Sequence, residues 1–376
     1  MYRKRADAVG DAIVIAGGGT AGHVFPGLAL ARELEGRGRS VVFVGTETGP
    51  ESRLVPEAGF AFRAVPVQPF VRRVSPAALR GPIAALRAVG RCRPVVREAA
   101  AVVGMGGYAS VPAILAARLE RAPTVLHEQN AVAGLANRAL SRLAATVALG
   151  FADAGGSFPR RRVVVTGNPV REEILAVRAT RDALTKEAWR RFDLDRRRTT
   201  VVIFGGSQGA LHVNRTAVGA CALLASRRDL QVLLIAGSAH IEEVRRALEN
   251  PTRALRVRAE GFVDRMDLAY AAADLVVSRA GASSVAEVSV CGLPALLVPY
   301  PYATAGHQEA NARALQRAGG ASVLRDDELS AESLAERIAG LVDQRDRLTA
   351  MGARSLAFAA PDAAVRLADA VEDVAR

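Results

Sequence analysis

Short runs of apolar residues recur along the chain at 12–16, 41–44, 101–103, 124–126 and 146–149. They recur again at 200–204, 231–236, 255–257, 275–277 and 295–298. Uninterrupted apolar runs of this length predict strands covered on both faces. Longer stretches with helical spacing separate them, as at Leu28, Ala31 and Leu34. Strands alternating with helices predict an α/β class with a parallel, doubly wound sheet. The pattern restarts after the turn-rich Gly167-Asn168-Pro169-Val170-Arg171, and Arg196-Arg197-Arg198 marks the entry to the second set. The expectation is two Rossmann-like domains facing a cleft, over residues 1–168 and 169–350. A terminal helix at 351–376 is expected to pack back toward the first. Leu334, Ile338 and Leu341, then Leu367, Val371 and Val374, give that end its helical spacing and suggest no chemistry.

Composition fits this picture, since half of the 376 residues are hydrophobic and glycine and proline are spread as punctuation. Cys92, Cys221 and Cys291 have no metal-binding spacing and read as reduced thiols of a cytosolic protein. No apolar run approaches the roughly 20 residues of a membrane span. The run at 12–16 is too short for a signal-peptide core and reads as a first strand that stays in the cytoplasm.

Charge changes the picture. Residues 1–170 hold 22 Arg/Lys against 11 Asp/Glu, whereas the remainder hold 28 against 27. The first half alone therefore points to a polyanionic partner, nucleic acid or an anionic membrane. From Ala58 to Arg97 there are eight arginines and no acidic residue. Leu79, Ile83 and Leu86 lie at helical spacing on one side there, with Arg80, Arg87 and Arg91 on another. Apolar residues interleaved with arginine, and few aromatics to stack on bases, favour a membrane surface over nucleic acid. The plainer alternative is an amphipathic helix with a solvated basic face.

Glycine loops follow strand ends at 17–22, 104–108 and 205–209, where bare backbone lets N–H groups approach an anion. Gly17, Gly19 and Gly22 also match the dinucleotide fingerprint, with Glu47 after the second strand, so a dehydrogenase must be weighed. Three such loops, split between both halves, argue against it. The stretch 278–311 is richer. Gly281 permits a tight turn into a helix whose start would favour a phosphate. Glu287 has two oxygens for the hydroxyls of a ribose, and a polar loop with His307, Gln308 and Asn311 suits sugar hydroxyls.

The segments GGGTAGHVFPGLALA at 17–31, GMGGYASVPAILAA at 104–117, HEQNAVAGLANRAL at 127–140, GNPVR at 167–171, GGSQGALHVN at 205–214 and the 278–311 stretch carry a resemblance. Together, and in this order, they resemble the MurG family, the peripheral membrane N-acetylglucosaminyltransferases of peptidoglycan synthesis. The resemblance implies the two-domain glycosyltransferase-B fold, an inverting transfer from UDP-N-acetylglucosamine (UDP-GlcNAc) to the 4-hydroxyl of lipid I, and lipid II as product. It places the lipid acceptor on the first domain and the donor mainly on the second. By motif, Thr20, Ala21, Gly22, Asn130, Arg171, Ser207, Val263, Ala282, Ser283, Ser284, Val285, Ala286, Glu287 and Gln308 line the donor site. The implied place of work is the cytoplasmic face of the bacterial inner membrane. Its partners would be lipid I, the anionic membrane surface and, as further candidates, cell-wall or division proteins.

An inverting displacement needs a base and something to hold the diphosphate charge. Backbone donors of the glycine loops and of the helix after Gly281 answer the second need, with no metal or other cofactor. His23, at the expected start of a helix whose dipole disfavours imidazolium, is the candidate base; His127 and Glu128 are weaker candidates. His23 as a structural or lipid-phosphate ligand remains open at this point. Asp193-Leu194-Asp195 looks like the metal-binding DxD of other glycosyltransferases, yet beside Arg196-Arg197-Arg198 it reads as a solvated charge cluster. A diacylglycerol glycosyltransferase and a non-catalytic membrane scaffold are the alternatives.

Overall fold

The structure, a computed structural model, describes residues 11–65, 81–206, 209–249 and 254–375. It divides into two compact units, Met1–Arg171 with Ala360–Arg376, and Glu172–Ala359. In the first, the described strands are β1 (Ile13–Ala16), β2 (Val41–Gly45), β3 (Ala61–Ala64), β4 (Ala101–Gly104), β5 (Thr124–Glu128), β6 (Thr146–Leu149) and β7 (Val163–Val165). They pair in parallel in the order β3-β2-β1-β4-β5-β6-β7. Helices α1 (Ala21–Gly36), α2 (Glu51–Glu57), α3 (Gly81–Val96), α4 (Val111–Leu119) and α5 (Leu135–Leu140) connect them. Ile13, Val14, Ile15 and Ala16 are at most 1% exposed, because apolar clusters cover both faces of the central strand.

The second unit opens with α6 (Glu172–Leu175) and α7 (Arg181–Arg191). It continues as β8 (Thr199–Phe204), α8 (Leu211–Leu223), β9 (Leu230–Ile235), α9 (Ile241–Leu248) and β10 (Arg256–Glu260). Then come α10 (Met266–Ala272), β11 (Leu275–Ser278), α11 (Ala282–Val290), β12 (Ala295–Leu297), α12 (His307–Arg317) and β13 (Ala321–Val323). Helices α13 (Ala331–Val342) and α14 (Arg345–Phe358) close it. Its sheet is also parallel, ordered β10-β9-β8-β11-β12-β13.

The strands that sequence reading did not find, β3, β7 and β13, are all outermost in their sheets. An edge strand is covered less, so it need not be an apolar run: β3 is Ala-Phe-Arg-Ala and mostly exposed. The divisions fall after Arg171 and after Ala359, rather than after 168 and 350. Helix α14 stays with the second unit because it packs on α11 and α13. Only the last helix, α15 (Ala363–Glu372), joins the first unit. Leu367, Ala368 and Val371 are fully buried there, and Arg37 after α1 pairs with Asp369 at 2.7 Å and Glu372 at 2.8 Å.

Candidate functional site

In a doubly wound sheet the ligand crevice opens beyond the strand C-termini, where the strand order reverses. That point lies between β1 and β4 in the first unit and between β8 and β11 in the second. The loops after those four strands, together with the helices α1 and α11 that follow two of them, hold most of the candidate donor-site residues.

In the first unit, the loop after β1 wraps around a side chain that the sequence did not single out. Glu51, at the start of α2, is 1% exposed. Its Oε2 accepts the Gly19 N–H at 3.0 Å, and its Oε1 accepts from Thr46 N at 2.9 Å and Thr46 Oγ1 at 2.6 Å. A Cβ on Gly18 would sit 2.1 Å from this carboxylate, and one on Gly49 2.3 Å. The expectation that the loop's N–H groups await an anion is therefore corrected at Gly19, whose donor already meets a carboxylate of the protein. Glu47, the acid of the dinucleotide fingerprint, is exposed, which weighs further against that reading.

Thr20 takes extended backbone angles at the N-cap of α1, with Ala21 and Gly22 half-buried in its first turn. His23 follows, and its Nδ1 lies 3.1 Å from the Gly18 carbonyl and 3.1 Å from Thr20 Oγ1. A carbonyl only accepts, so Nδ1 carries the proton there and Nε2 of the neutral ring is the proton acceptor. The ring lies on Gly106 and Gly107, both with left-handed φ (86° and 74°); a Cβ on Gly107 would be 3.2 Å from Nδ1. The second glycine loop is thus a floor for this imidazole.

The other base candidates are placed differently. His127 is fully buried and donates its Nε2–H to the Gly167 carbonyl at 3.1 Å; burial pushes its pKa down to about 4. Glu128 is 3% exposed, and its two oxygens accept from Asn130 N, Asn130 Nδ2, Gly134 N and Asn137 Nδ2 at 2.9–3.3 Å. It folds the loop that presents half-buried Asn130. These placements correspond to structural hydrogen-bonders rather than to groups that reach a substrate. Arg171 stacks its guanidinium 4.2 Å from the Phe25 ring centroid, another partner not foreseen.

In the second unit, Gly281 has an ordinary φ of −62°, so the turn it was expected to permit does not itself require glycine. Among the described residues no side-chain cap hydrogen bond forms at the Gly281 N-cap of α11, and the nearest heavy atom to a Cβ built on Gly281 is 3.8 Å away, leaving that residue open to close approach. Ala282 and Val285 are buried, whereas Ser283, Ser284, Ala286 and Glu287 are half-buried. Buried Tyr270 on α10 donates its hydroxyl to Glu287 Oε2 at 2.9 Å and packs edge-on against Phe204. Seventeen residues separate Tyr270 from Glu287 in sequence, and no motif signalled the pair.

His307, Gln308 and Asn311 lie in the first turns of α12 rather than in a loop. Gln308 Oε1 accepts from Ala280 N at 3.2 Å and Tyr300 N at 2.9 Å, tying together the segments after β11 and β12. Asn311 is fully buried and donates to the Ala280 carbonyl, so it supports the turn and does not face a sugar. Val263 is buried after β10. Ser207 lies outside the described residues, although its neighbours Gly206 and Gly209 take left-handed φ values of 101° and 73°. Asp193 pairs with Arg256 and Arg258, and Asp195 with Arg197 N and Arg198, so arginines take up the DxD.

Of the proposed membrane residues, Leu79 and Arg80 lie outside the described residues, and Ile83 falls on α3. Leu86 is 73% exposed beside exposed Arg87 and Arg91. Among the described residues, no helix is long and apolar enough to cross a membrane.

Two family models match the chain. They are the glycosyltransferase family 28 N-terminal domain over residues 13–149 and the glycosyltransferase family 28 C-terminal domain over residues 200–367. A Halothermothrix orenii protein named UDP-N-acetylglucosamine--N-acetylmuramyl-(pentapeptide) pyrophosphoryl-undecaprenol N-acetylglucosamine transferase is 37% identical over 378 residues, covering 97% of this chain and 99% of that relative. Its namesake from Acidothermus cellulolyticus is 43% identical over 371 residues, covering 96% and 98%. The crystal structure of Acinetobacter baumannii MurG aligns with a TM-score of 0.75 at 30% identity, covering 96% of this chain and 99% of that one.

Proposed function

Because the chain belongs to glycosyltransferase family 28, we propose that its switch-point loops serve the transfer of N-acetylglucosamine from UDP-GlcNAc to lipid I, forming lipid II. The chain is a UDP-sugar hexosyltransferase of glycosyltransferase-B architecture. The near-full-length likeness to transferases of that name carries this reading.

The residues can be given roles. The 4-hydroxyl oxygen of the acceptor attacks the anomeric carbon as the bond from that carbon to the diphosphate oxygen breaks, which inverts the configuration. UDP departs with the bonding electrons, and the hydroxyl proton passes to His23 Nε2. The orientation of the ring supports this, since Nδ1–H is already committed to the Gly18 carbonyl. In the second unit the start of α11 suits the departing diphosphate. Glu287, oriented by Tyr270, suits the ribose hydroxyls. On the first unit we assign the exposed Leu86, Arg87 and Arg91 to an anionic cytoplasmic leaflet, where the acceptor's lipid resides.

The deciding experiment supplies purified protein and UDP-GlcNAc with lipid I or with diacylglycerol. Release of UDP and appearance of lipid II only with lipid I is expected. Turnover with diacylglycerol alone, or with neither acceptor, would overturn the reading.

A further inference from the structure

The peptide group between Gly18 and Gly19 is gripped at both ends. Its N–H donates to Glu51 Oε2 at 3.0 Å, and its carbonyl accepts from His23 Nδ1 at 3.1 Å. Among the described residues no cation pairs with Glu51, so hydrogen bonds alone satisfy this 1%-exposed carboxylate. A peptide is conjugated through its C–N bond. A carboxylate pulling on the N–H therefore shifts electron density onto the carbonyl oxygen of the same group, and hydrogen bonds in such a chain strengthen one another. The carbonyl that holds the imidazole is thereby made more negative.

We propose that Glu51, the Gly18–Gly19 peptide and His23 form a relay in which the buried carboxylate, acting through the backbone, locks the imidazole as its Nδ1–H tautomer and raises the basicity of Nε2. Glu51 is then a positioning residue for the transfer, a role that deepens the proposed function and rests on His23 being its base. No proton travels the length of the relay. The acceptor's proton ends on Nε2 and later leaves to solvent, Nδ1 keeps its own, and Glu51 neither takes up nor gives up a proton.

Packing around the relay explains glycines that anion binding does not. A Cβ on Gly18 would overlap the Glu51 carboxylate, and one on Gly107 would lie 2.9 Å from the Gly18 oxygen and 3.2 Å from His23 Nδ1. Among the described residues, the elements around the relay bring further titratable groups. Tyr108, from the loop after β4, packs against Gly19, while β5 brings His127 and Glu128. His127 is held neutral by burial, and Glu128 is committed to its own loop. Glu51 is the carboxylate joined to the ring through one shared peptide group.

Glu51→Gln removes that charge at nearly constant size. A nearby negative charge favours imidazolium, so its loss lowers the His23 pKa. The acid limb of kcat against pH should move down by about 1 pH unit and the plateau should fall roughly tenfold, with the KM for UDP-GlcNAc unchanged. An unmoved acid limb, or a raised donor KM at constant kcat, overturns the relay. If Glu51→Gln does not fold, NMR of isotope-labelled histidine in the wild-type protein decides. Neutral His23 must carry its proton on Nδ1, and a proton on Nε2 overturns the proposal. His23→Ala measured alongside keeps the two ideas apart, since normal turnover there removes the base while the tautomer result still judges the relay.

Discussion

His23 and His127 are fixed as opposite tautomers by carbonyl groups, Gly18 on Nδ1 in one case and Gly167 on Nε2 in the other. The half-buried ring is the one proposed above as the base, whereas the buried ring bears on stability. The folded pKa of His127, about 4, lies below the usual 6.5, so the unfolded chain binds more protons between those values. Its contribution is complete above pH 6.5 and is lost as pH falls through about 4. Between pH 7 and pH 4.5 the parent should lose on the order of 2 kcal/mol more stability than a His127→Gln variant. Urea midpoints of both proteins at the two pH values test this, and parallel losses would refute it. Glu287 makes a separate case. If its carboxylate holds the ribose, Glu287→Ala should raise the UDP-GlcNAc KM roughly 10–100-fold, the worth of charged hydrogen bonds, with kcat nearly unchanged. Tyr270→Phe should raise it less, because the carboxylate remains and only its orientation loosens. Unaltered donor kinetics in Glu287→Ala would remove that residue from the site.

At the scale of loops and helices, the second glycine loop shows how one element constrains another. Gly107 has a φ of 74°, and a side chain there would meet the Gly18 carbonyl and the His23 ring. If His23 is the base, Gly107→Ala should lower kcat at least tenfold while leaving donor KM alone, since it displaces that ring and leaves α11 of the second unit untouched. A variant with normal kcat would show that the ring does not depend on its floor. The same elements indicate what a sequence can disclose. Central strands such as Ile13–Ala16 declare themselves because burial on both faces demands unbroken apolar residues. The loops after them were visible because glycine marks positive φ and close approach, as at Gly19, Gly106 and Gly107. What those glycines approach was not visible. Glu51 lies 32 residues from Gly19, and Phe25 sits far from Arg171, so only the folded chain pairs them. The start of α12 failed for a related reason: Asn311 looks like a sugar ligand until the turn it supports is seen.

Across the whole molecule the uneven charge becomes specific. Within α3 and just beyond it, Arg93 and Arg97 both bind Glu120 on the segment after α4, at 2.5 and 3.3 Å. They are partly spent within the protein. Arg87 and Arg91 are exposed on the same helix beside Leu86, and among the described residues no carboxylate pairs with them. The excess of basic residues over the first 170 positions therefore has a defined outlet, one apolar side chain flanked by two available guanidinium groups. A basic residue close to an anionic leaflet contributes about 1 kcal/mol, and reversing its sign turns that attraction into repulsion. Changing both Arg87 and Arg91 to Glu should weaken binding to anionic vesicles by about 4 kcal/mol in near-physiological salt, several hundred-fold or more. The loss should shrink as salt rises and the Debye length contracts. Neutral vesicles should not distinguish variant from parent. Activity towards a short-chain, water-soluble analogue of the acceptor should survive in the same variant, since neither arginine belongs to the loops around His23 or α11. Undiminished vesicle binding would move the membrane face to another part of the first unit, whereas loss of activity towards the soluble acceptor would show that α3 contributes to the acceptor site itself.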